Sequence, residues 1–182
     1  MPIPDVAIGA IIAALISGAI VYITAVLSKE QKTSEFRQIW IDALREDIAE
    51  YVAKVTSLYS IARAHGGSTP DIKLKILTEL ADQTHEAYAS EYRIVLRLNP
   101  KKHMSLLGKV NSFQDNISKL KITHTKTITE QEEELARQLI NEAKIVLKSE
   151  WERVKKGELA FRVTKFIGAA IVIAAACFAF FE

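Results

Sequence analysis

The sequence VAIGAIIAALISGAIVYITAVL, residues 6–27, is a run of 22 residues without a charged side chain. A helix of about 20 apolar residues is long enough to cross the hydrocarbon core of a bilayer, which is roughly 30 Å thick. We therefore predict a transmembrane helix here. The alternative is a cleaved signal peptide, which needs a basic segment before the apolar run and a small-residue cleavage site after it. The flanking residues, MPIPD and SKEQK, supply neither feature.

A second uncharged run, FIGAAIVIAAACFAFF, covers residues 166–181 and follows the last basic residue, Lys165. Its 16 residues would reach roughly 24 Å as a helix, which is slightly short for a bilayer. Arg162 and Lys165 can extend their charged groups to the lipid headgroups, so residues before the run can also enter the membrane. We predict a second transmembrane helix, and a buried core helix is the alternative.

The charges lie between these two runs, because all 24 Lys and Arg residues fall in the interval from Lys29 to Lys165. With 20 of the 22 acidic residues in the same interval, its formal charge is 24 − 20 = +4. Basic residues next to membrane spans remain in the cytoplasm. We therefore predict a multi-pass membrane protein with both termini on the outer side and the middle of the chain in the cytoplasm. The lone Cys177 cannot form an intramolecular disulfide, as suits a reducing compartment.

The charged interval has the periodicity of amphipathic helices. Apolar residues recur at i, i+3, i+4 and i+7 from Phe36 to Ala62, and no Gly or Pro separates this stripe from the first span. Two glycines and Pro70 then end this helix and open a second one over 71–98, whose predicted inward residues include Leu77 and Val95. The sequence NPKK, residues 99–102, separates it from a weaker third helix.

A fourth amphipathic helix follows a threonine-rich connection, where Thr129 and Glu132 have the spacing of a capping box. Four such helices joined by short polar connections are typical of an antiparallel bundle. The predicted fold class is all-α, with N- and C-terminal transmembrane helices flanking a cytoplasmic antiparallel bundle of about four helices. The predicted domains are residues 3–28 for the first span, 29–160 for the bundle and 161–181 for the second span.

Motifs for catalysis are missing from the sequence. Its four histidines are scattered, and HEAYA at residues 85–89 lacks the second histidine of a zinc-protease helix. There is no glycine-rich phosphate loop and no nucleophile elbow. We therefore predict that the protein is not an enzyme, with no catalytic residues, cofactor, metal site or small-molecule substrate.

A basic cluster at the predicted end of the second helix is a candidate surface for an acidic or nucleic-acid partner. Its members are Arg97, Lys101, Lys102 and His103. The alternative is an ordinary solvated turn, because runs of charge are common on protein surfaces.

Small residues repeat every fourth position in both apolar runs, as a packing face of membrane helices would require. The candidate packing residues are Gly9, Ala13, Ser17, Gly18, Ala170 and Ala174. They predict association within the chain and a homo-oligomer, although Ala and Gly are also simply frequent in membrane helices. Neither run has an ionisable residue in its middle, which disfavours a proton relay or a voltage sensor. Two helices cannot enclose a pore, so any pore would require several copies.

The sequence FRQIWIDALREDIAEYVA, residues 36–53, follows the first span directly. Together with the two-span layout, it resembles small bacterial membrane effectors of retron anti-phage systems. The resemblance rests on Arg37, Gln38, Trp40, Leu44 and Arg45. It implies an effector that damages the inner membrane when released by a complex of reverse transcriptase and its RNA-linked DNA. Trp40 and Arg45 are then candidate partner-binding residues. The alternative is a packed tryptophan and a surface ion pair of Arg45 with Asp42 or Glu46.

Two functional hypotheses follow. The first is a membrane-perturbing effector that is controlled through its cytoplasmic bundle. The second is a membrane-anchored scaffold that recruits cytoplasmic partners through the same bundle. A holin-like channel that acts alone ranks below both, because holins seldom need a cytoplasmic domain of this size.

Overall fold

A computed structural model describes residues 5–65, 67–118, 130–157 and 159–181 of the chain. These described residues form five α-helices and no strand. The helices are α1 (Asp5–Ala64), α2 (Pro70–Arg97), α3 (Met104–Ser118), α4 (Glu130–Lys156) and α5 (Leu159–Phe181). The all-α fold and the order of its helices are confirmed.

The helices begin and end at proline, asparagine and glycine residues of the sequence. Pro70 is the first residue of α2, and Thr69 before it is extended. The first N–H groups of a helix have no acceptor within the helix, so the N–H that proline lacks is not needed there. At the other end of α2, the Asn99 side chain accepts the backbone N–H groups of Lys101 and Lys102, which closes the turn before α3. Gly157 ends α4 with a φ of 69°, a left-handed conformation that glycine adopts without a steric penalty. The predicted cap residue Thr129 lies outside the described residues.

The chain packs as two compact units. The bundle unit is Ile39–Trp151, and the terminal unit combines Met1–Gln38 with Glu152–Glu182. The domain bounds predicted from hydropathy (3–28, 29–160 and 161–181) describe where the chain would leave a bilayer. The division into compact units does not show where a chain leaves a bilayer, so these bounds stay predictions.

In the bundle unit each helix runs antiparallel to the next. Near its beginning in this unit, α1 contacts the end of α2, because the Trp40 indole donates a hydrogen bond to the Arg97 carbonyl. The end of α1 contacts the start of α4 through an ion pair between Arg63 and Glu132. Lys109 of α3 contacts Gln138 of α4. The predicted helical bundle is therefore confirmed, and the contacts of α1 with α2 and α4 fit the antiparallel order.

One apolar core holds the bundle unit together. Its largest fully buried side chains include Tyr51, Leu44 and Leu58 of α1, with Phe113 of α3 packed edge-on against Tyr51. Each fully buried side chain of this kind contributes roughly 1.5–3 kcal/mol to folding. The members contributed by α4 are Leu139, Ala143 and Val146.

The predicted inward faces are partly wrong. In α1 the periodic pattern placed Ile39 inward, but Ile39 is exposed and Ile41 is buried. In α2 it placed Leu77 and Val95 inward, but both are exposed and Ile94 is buried. The physical reason in α2 is that apolar residues occupy two sides of the helix, so periodicity does not identify the side that meets the core.

In the terminal unit α1 and α5 pack against each other. A Cβ atom on Gly168 would lie 2.9 Å from Ile23 Cδ1, so the absence of a side chain at Gly168 permits this approach. Farther along, Gly157 lies beside Phe161 and the Glu30 carboxylate.

Among the residues that the structure describes, no helix contains an apolar stretch that is long enough to cross a membrane.

Candidate functional site

The turn after α2 brings together three of the residues singled out in the sequence: Trp40, Arg97 and His103. The Trp40 Nε1 donates to the Arg97 carbonyl oxygen at 3.0 Å. The Trp40 ring also stacks on the His103 ring, with centroids 5.7 Å apart and planes inclined by 29°. The packed tryptophan of the alternative interpretation is therefore what the structure contains.

His103 is buried, and its surroundings define its tautomer. Nδ1 accepts the backbone N–H of Asn99 at 3.1 Å, so the neutral ring carries its proton on Nε2. Nε2 has no hydrogen-bond partner within the described part of the chain, and it lies 3.9 Å from the nearest Glu150 oxygen. Burial and then the charge of Lys102 lower the His103 pKa. The ring is therefore neutral near pH 7 and presents no charge to a partner.

Two basic residues of the predicted cluster neutralise buried carboxylates. Arg97 Nε lies 2.5 Å from Asp47 Oδ2, and Arg93 Nε lies 2.9 Å from Asp47 Oδ1. Lys102 pairs with Glu150. Asp47 and Glu150 are only 6% and 4% exposed, so both need these cationic partners.

The remaining candidates of the partner-binding set lie at the surface. Lys101 is exposed, whereas Arg45 forms an ion pair with Asp42 at 2.6 Å, one turn earlier on the same helix. Exposed pairs of this kind contribute little to stability. The Arg45 pair was the alternative expected from the sequence. Whether any of these residues meets a partner stays a prediction.

An exposed apolar stripe on α2 was missed by sequence reasoning. Its residues lie along the side of α2 that faces away from the core, with a gap of seven positions between Ala81 and Tyr88. We define the α2 stripe as Leu74, Leu77, Ala81, Tyr88, Tyr92, Val95 and Leu96. Leu96 is 86% exposed, and the rings of Tyr88 and Tyr92 stack with centroids 6.5 Å apart. Contiguous apolar surface of this kind marks interaction sites. The sequence did contain a signal for this stripe, because α2 has a second set of apolar residues with helical spacing.

Buried polar groups form a second feature that the sequence did not reveal. Glu91 of α2 is 3% exposed, and its Oε2 has no hydrogen-bond partner among the described residues. Burial raises the Glu91 pKa to about 7. The buried hydroxyls of Tyr51 and Tyr59 also have no partner within that part of the chain. Burial raises the Tyr59 pKa to about 12, and burial together with the Glu91 charge raises that of Tyr51.

The small residues predicted to pack are exposed in the terminal unit. This holds for all six candidates: Gly9, Ala13, Ser17, Gly18, Ala170 and Ala174. Nothing among the described atoms lies within 4 Å of where a Cβ would stand on Gly9 or Gly18. Within the described part of one chain, the close approach is instead made at Gly168. The six residues remain candidates for contacts between copies.

A groove of about 540 Å³ lies between α1 and α5 in the terminal unit. Its walls are almost entirely apolar, and small residues of α5 leave the space open. The lining includes Ile23, Val26, Leu27, Phe161, Gly168 and Ile173. This volume is in the range of ligand pockets.

Metal binding finds no support in the described ranges, where no three His, Cys, Asp or Glu side chains are grouped to hold an ion. His65 bonds to the Ile61 carbonyl and His85 is exposed, while His124 lies outside the described residues.

Comparisons with protein families, with curated proteins and with solved structures each return no match.

Proposed function

We propose that this protein is an inner-membrane effector of an anti-phage defence system. In this proposal the terminal unit lies in the bilayer, and the bundle unit lies in the cytoplasm and carries the regulation. A reverse transcriptase with its RNA-linked DNA restrains the protein, and release of the restraint lets copies of the terminal unit associate and permeabilise the membrane.

The observation that carries the proposal is the surface of the terminal unit. Eleven large apolar side chains among the described residues are exposed there on α1 and α5: Ile16, Ile20, Val21, Tyr22, Leu27, Phe36, Val163, Phe166, Ile167, Ile171 and Ile173. Large apolar side chains exposed in such number on two neighbouring helices point to an interface with a partner or a membrane. The uncharged runs of 22 and 16 residues and the basic residues beside them support the membrane.

Self-association is supported by the six exposed small residues. In a bilayer, small residues allow close packing of helices, and such packing rather than the hydrophobic effect drives association there. Because one chain supplies only two spans, a permeable assembly needs several copies. A homo-oligomer is therefore part of the proposal.

The α2 stripe supports control by a cytoplasmic partner. It lies in the bundle unit, on the side of α2 that the core does not use. A groove or helix on a partner protein would bury this stripe, as amphipathic helices are commonly recognised. The exposed Lys101 follows the end of α2 and supplies a positive charge that suits a partner containing nucleic acid.

The same stripe also favours the second candidate function, a membrane-anchored scaffold. In that case the spans serve only as anchors, and the bundle unit recruits partners. Replacing both apolar runs with unrelated membrane helices would preserve the activity of a scaffold and abolish that of an effector.

The test is the membrane potential of bacterial cells that express this chain alone, read with a potential-sensitive dye. Ala174→Arg is the inactive variant, because a charge in the middle of a span is unfavourable by about 2.5–3.5 kcal/mol. Ala174→Leu is the matched control for size. The proposal expects rapid depolarisation with the wild type and with Ala174→Leu, but not with Ala174→Arg. Normal potential in all three, at equal amounts in the membrane fraction, favours the scaffold.

A further inference from the structure

We propose that the groove between α1 and α5 binds one acyl chain of an anionic phospholipid from the cytoplasmic leaflet. This inference rests on the proposed function, because it requires the terminal unit to lie in a bilayer. It adds a ligand class and a site: a lipid held by the effector itself, rather than lipid that only surrounds it.

The first observation is the chemistry of the groove walls. Ile23, Val26 and Leu27 form the α1 side, and Phe161 and Ile173 stand at the two extremes of the α5 side. An almost wholly apolar lining suits a hydrocarbon chain and excludes a polar ligand, whose groups would lose their hydrogen bonds to water.

The second observation is the length of the groove. Phe161 and Ile173 are twelve positions apart on one helix, which corresponds to roughly 18 Å. Half of a hydrocarbon core of about 30 Å is about 15 Å. The groove therefore matches the depth of a single leaflet, and one acyl chain fills it from end to end.

The third observation is why the space stays open. α5 carries Thr164, Gly168 and Ala169 along the groove, so no large side chain projects from its middle. At Gly168 the helices are already so close that a Cβ would collide with Ile23. The helices are therefore already in close contact at Gly168, and the apolar space beside this contact is open to an external apolar group.

The fourth observation identifies the charge of the ligand. Lys29 lies two residues after Leu27, and Arg162 follows Phe161, so both belong to the same end of the groove. Both are exposed, and neither forms an ion pair within the described part of the chain. Glu30 lies at this end too, beside Gly157, and the exposed Lys156 directly precedes that glycine. A lipid phosphate is the complementary group at this level of the membrane.

The experiment uses the full chain reconstituted into phosphatidylcholine vesicles with a trace of phosphatidylglycerol that carries a photoreactive diazirine on one acyl chain. After illumination, mass spectrometry locates the labelled residues. Unlabelled phosphatidylglycerol and unlabelled phosphatidylcholine then compete with the probe.

The proposal expects labelling to concentrate on groove residues and phosphatidylglycerol to compete at least about fivefold better than phosphatidylcholine. Ala169→Phe fills the groove and should abolish this labelling. Ile167→Phe, an exposed position outside the lining, is its matched control and should label as the wild type does. Lys29→Gln with Arg162→Gln should remove the preference for phosphatidylglycerol, whereas Lys144→Gln with Lys148→Gln in the bundle unit should not.

Three results overturn the proposal. Labelling spread evenly around both helices, or equal competition by the two lipids, means that the groove holds only bulk lipid. Labelling that is absent from the groove residues, while the outer faces of both helices are labelled, means that a group other than lipid occupies the groove. In both cases the chain still floats with the vesicles, so the proposed function survives. A chain that does not float with them overturns the membrane assignment as well.

Discussion

Asp47 and Glu150 explain why the basic cluster at the end of α2 is smaller than its sequence indicated. Each carboxylate is buried, and each is paired, Asp47 with Arg93 and Arg97 and Glu150 with Lys102. A carboxylate that stays ionised when buried needs such partners, because its desolvation is otherwise uncompensated. Two of the cations singled out in the sequence therefore stabilise the fold.

We predict that Asp47→Asn lowers the free energy of unfolding of the bundle unit by about 1.5–3 kcal/mol, because the hydrogen bonds from Arg93 and Arg97 lose their charged acceptor while both arginines stay partly exposed to water. Chemical unfolding of the full chain in detergent micelles, followed by tryptophan fluorescence, measures the change. Asp42→Asn is the matched control. Asp42 pairs with Arg45 at the exposed surface, so its loss should matter by less than about 1 kcal/mol. Equal effects of the two variants would refute the structural role of Asp47.

Glu91 makes the stability of the bundle depend on pH. Burial raises its pKa from 4.5 to about 7 in the folded chain, so the folded state holds this proton more tightly than the unfolded state does. The stabilising effect of the proton is complete below pH 4.5. It declines as the pH rises and is lost once the pH passes 7.

Glu91→Gln keeps a neutral side chain at every pH. We predict that above pH 7 this variant is more stable than the wild type by roughly 1–3 kcal/mol, with little difference below pH 4.5. Thermal unfolding of the full chain across this pH range measures the gap. The exposed Glu79→Gln should follow the wild-type curve. A constant difference between Glu91→Gln and the wild type at all pH values would contradict the raised pKa.

The helix α2 differs from its neighbours because it has apolar residues on two sides. One side carries Leu80, Ala87 and Ile94 into the core, and the other carries the α2 stripe. The bounds of α2 were predictable, since Pro70 opens it and Asn99-Pro100 closes it. Its inward side was not, because both sides have helical periodicity and only packing distinguishes them.

We predict that the double variant Leu74→Asn/Leu96→Asn changes the free energy of unfolding by no more than about 0.5 kcal/mol, because both leucines are largely exposed. It should nevertheless weaken the restraining partner's binding by about 2 kcal/mol or more, as truncation of central interface residues does. The readout is depolarisation of cells that also express the proposed restraining partner, a reverse transcriptase with its RNA-linked DNA.

The wild type should be silent in those cells and the double variant active. Leu80→Asn, on the buried side of the same helix, is the control, and it should lower the thermal stability of the bundle instead. Silence of the double variant at normal abundance would mean that the α2 stripe is not the restrained surface.

The sequence did not predict the contacts between helices that are far apart along the chain. The Trp40 bond to Arg97 joins residues 57 positions apart, and no local pattern encodes it. Gly168 was likewise overlooked, because the four-residue repeats of alanine and glycine indicated other positions. Its importance comes from the facing Ile23, which only the packed helices reveal.

The whole molecule divides its apolar residues between two uses. In the bundle unit most of them form a buried core, and the α2 stripe is the main exception. In the terminal unit large apolar side chains are exposed on both helices. Because of this contrast, we propose that a bilayer surrounds the terminal unit and that a cytoplasmic partner binds the bundle unit.

The most direct test is ion flux through liposomes that contain only this purified chain. With no restraining partner present, we predict that wild-type proteoliposomes lose an imposed potassium gradient, and that Ala174→Arg at the same protein density leaves it intact. Flux that depends on protein density to a power above one would show that several copies cooperate. Liposomes that hold a verified amount of inserted wild-type chain and retain the gradient would contradict the effector function and leave the scaffold.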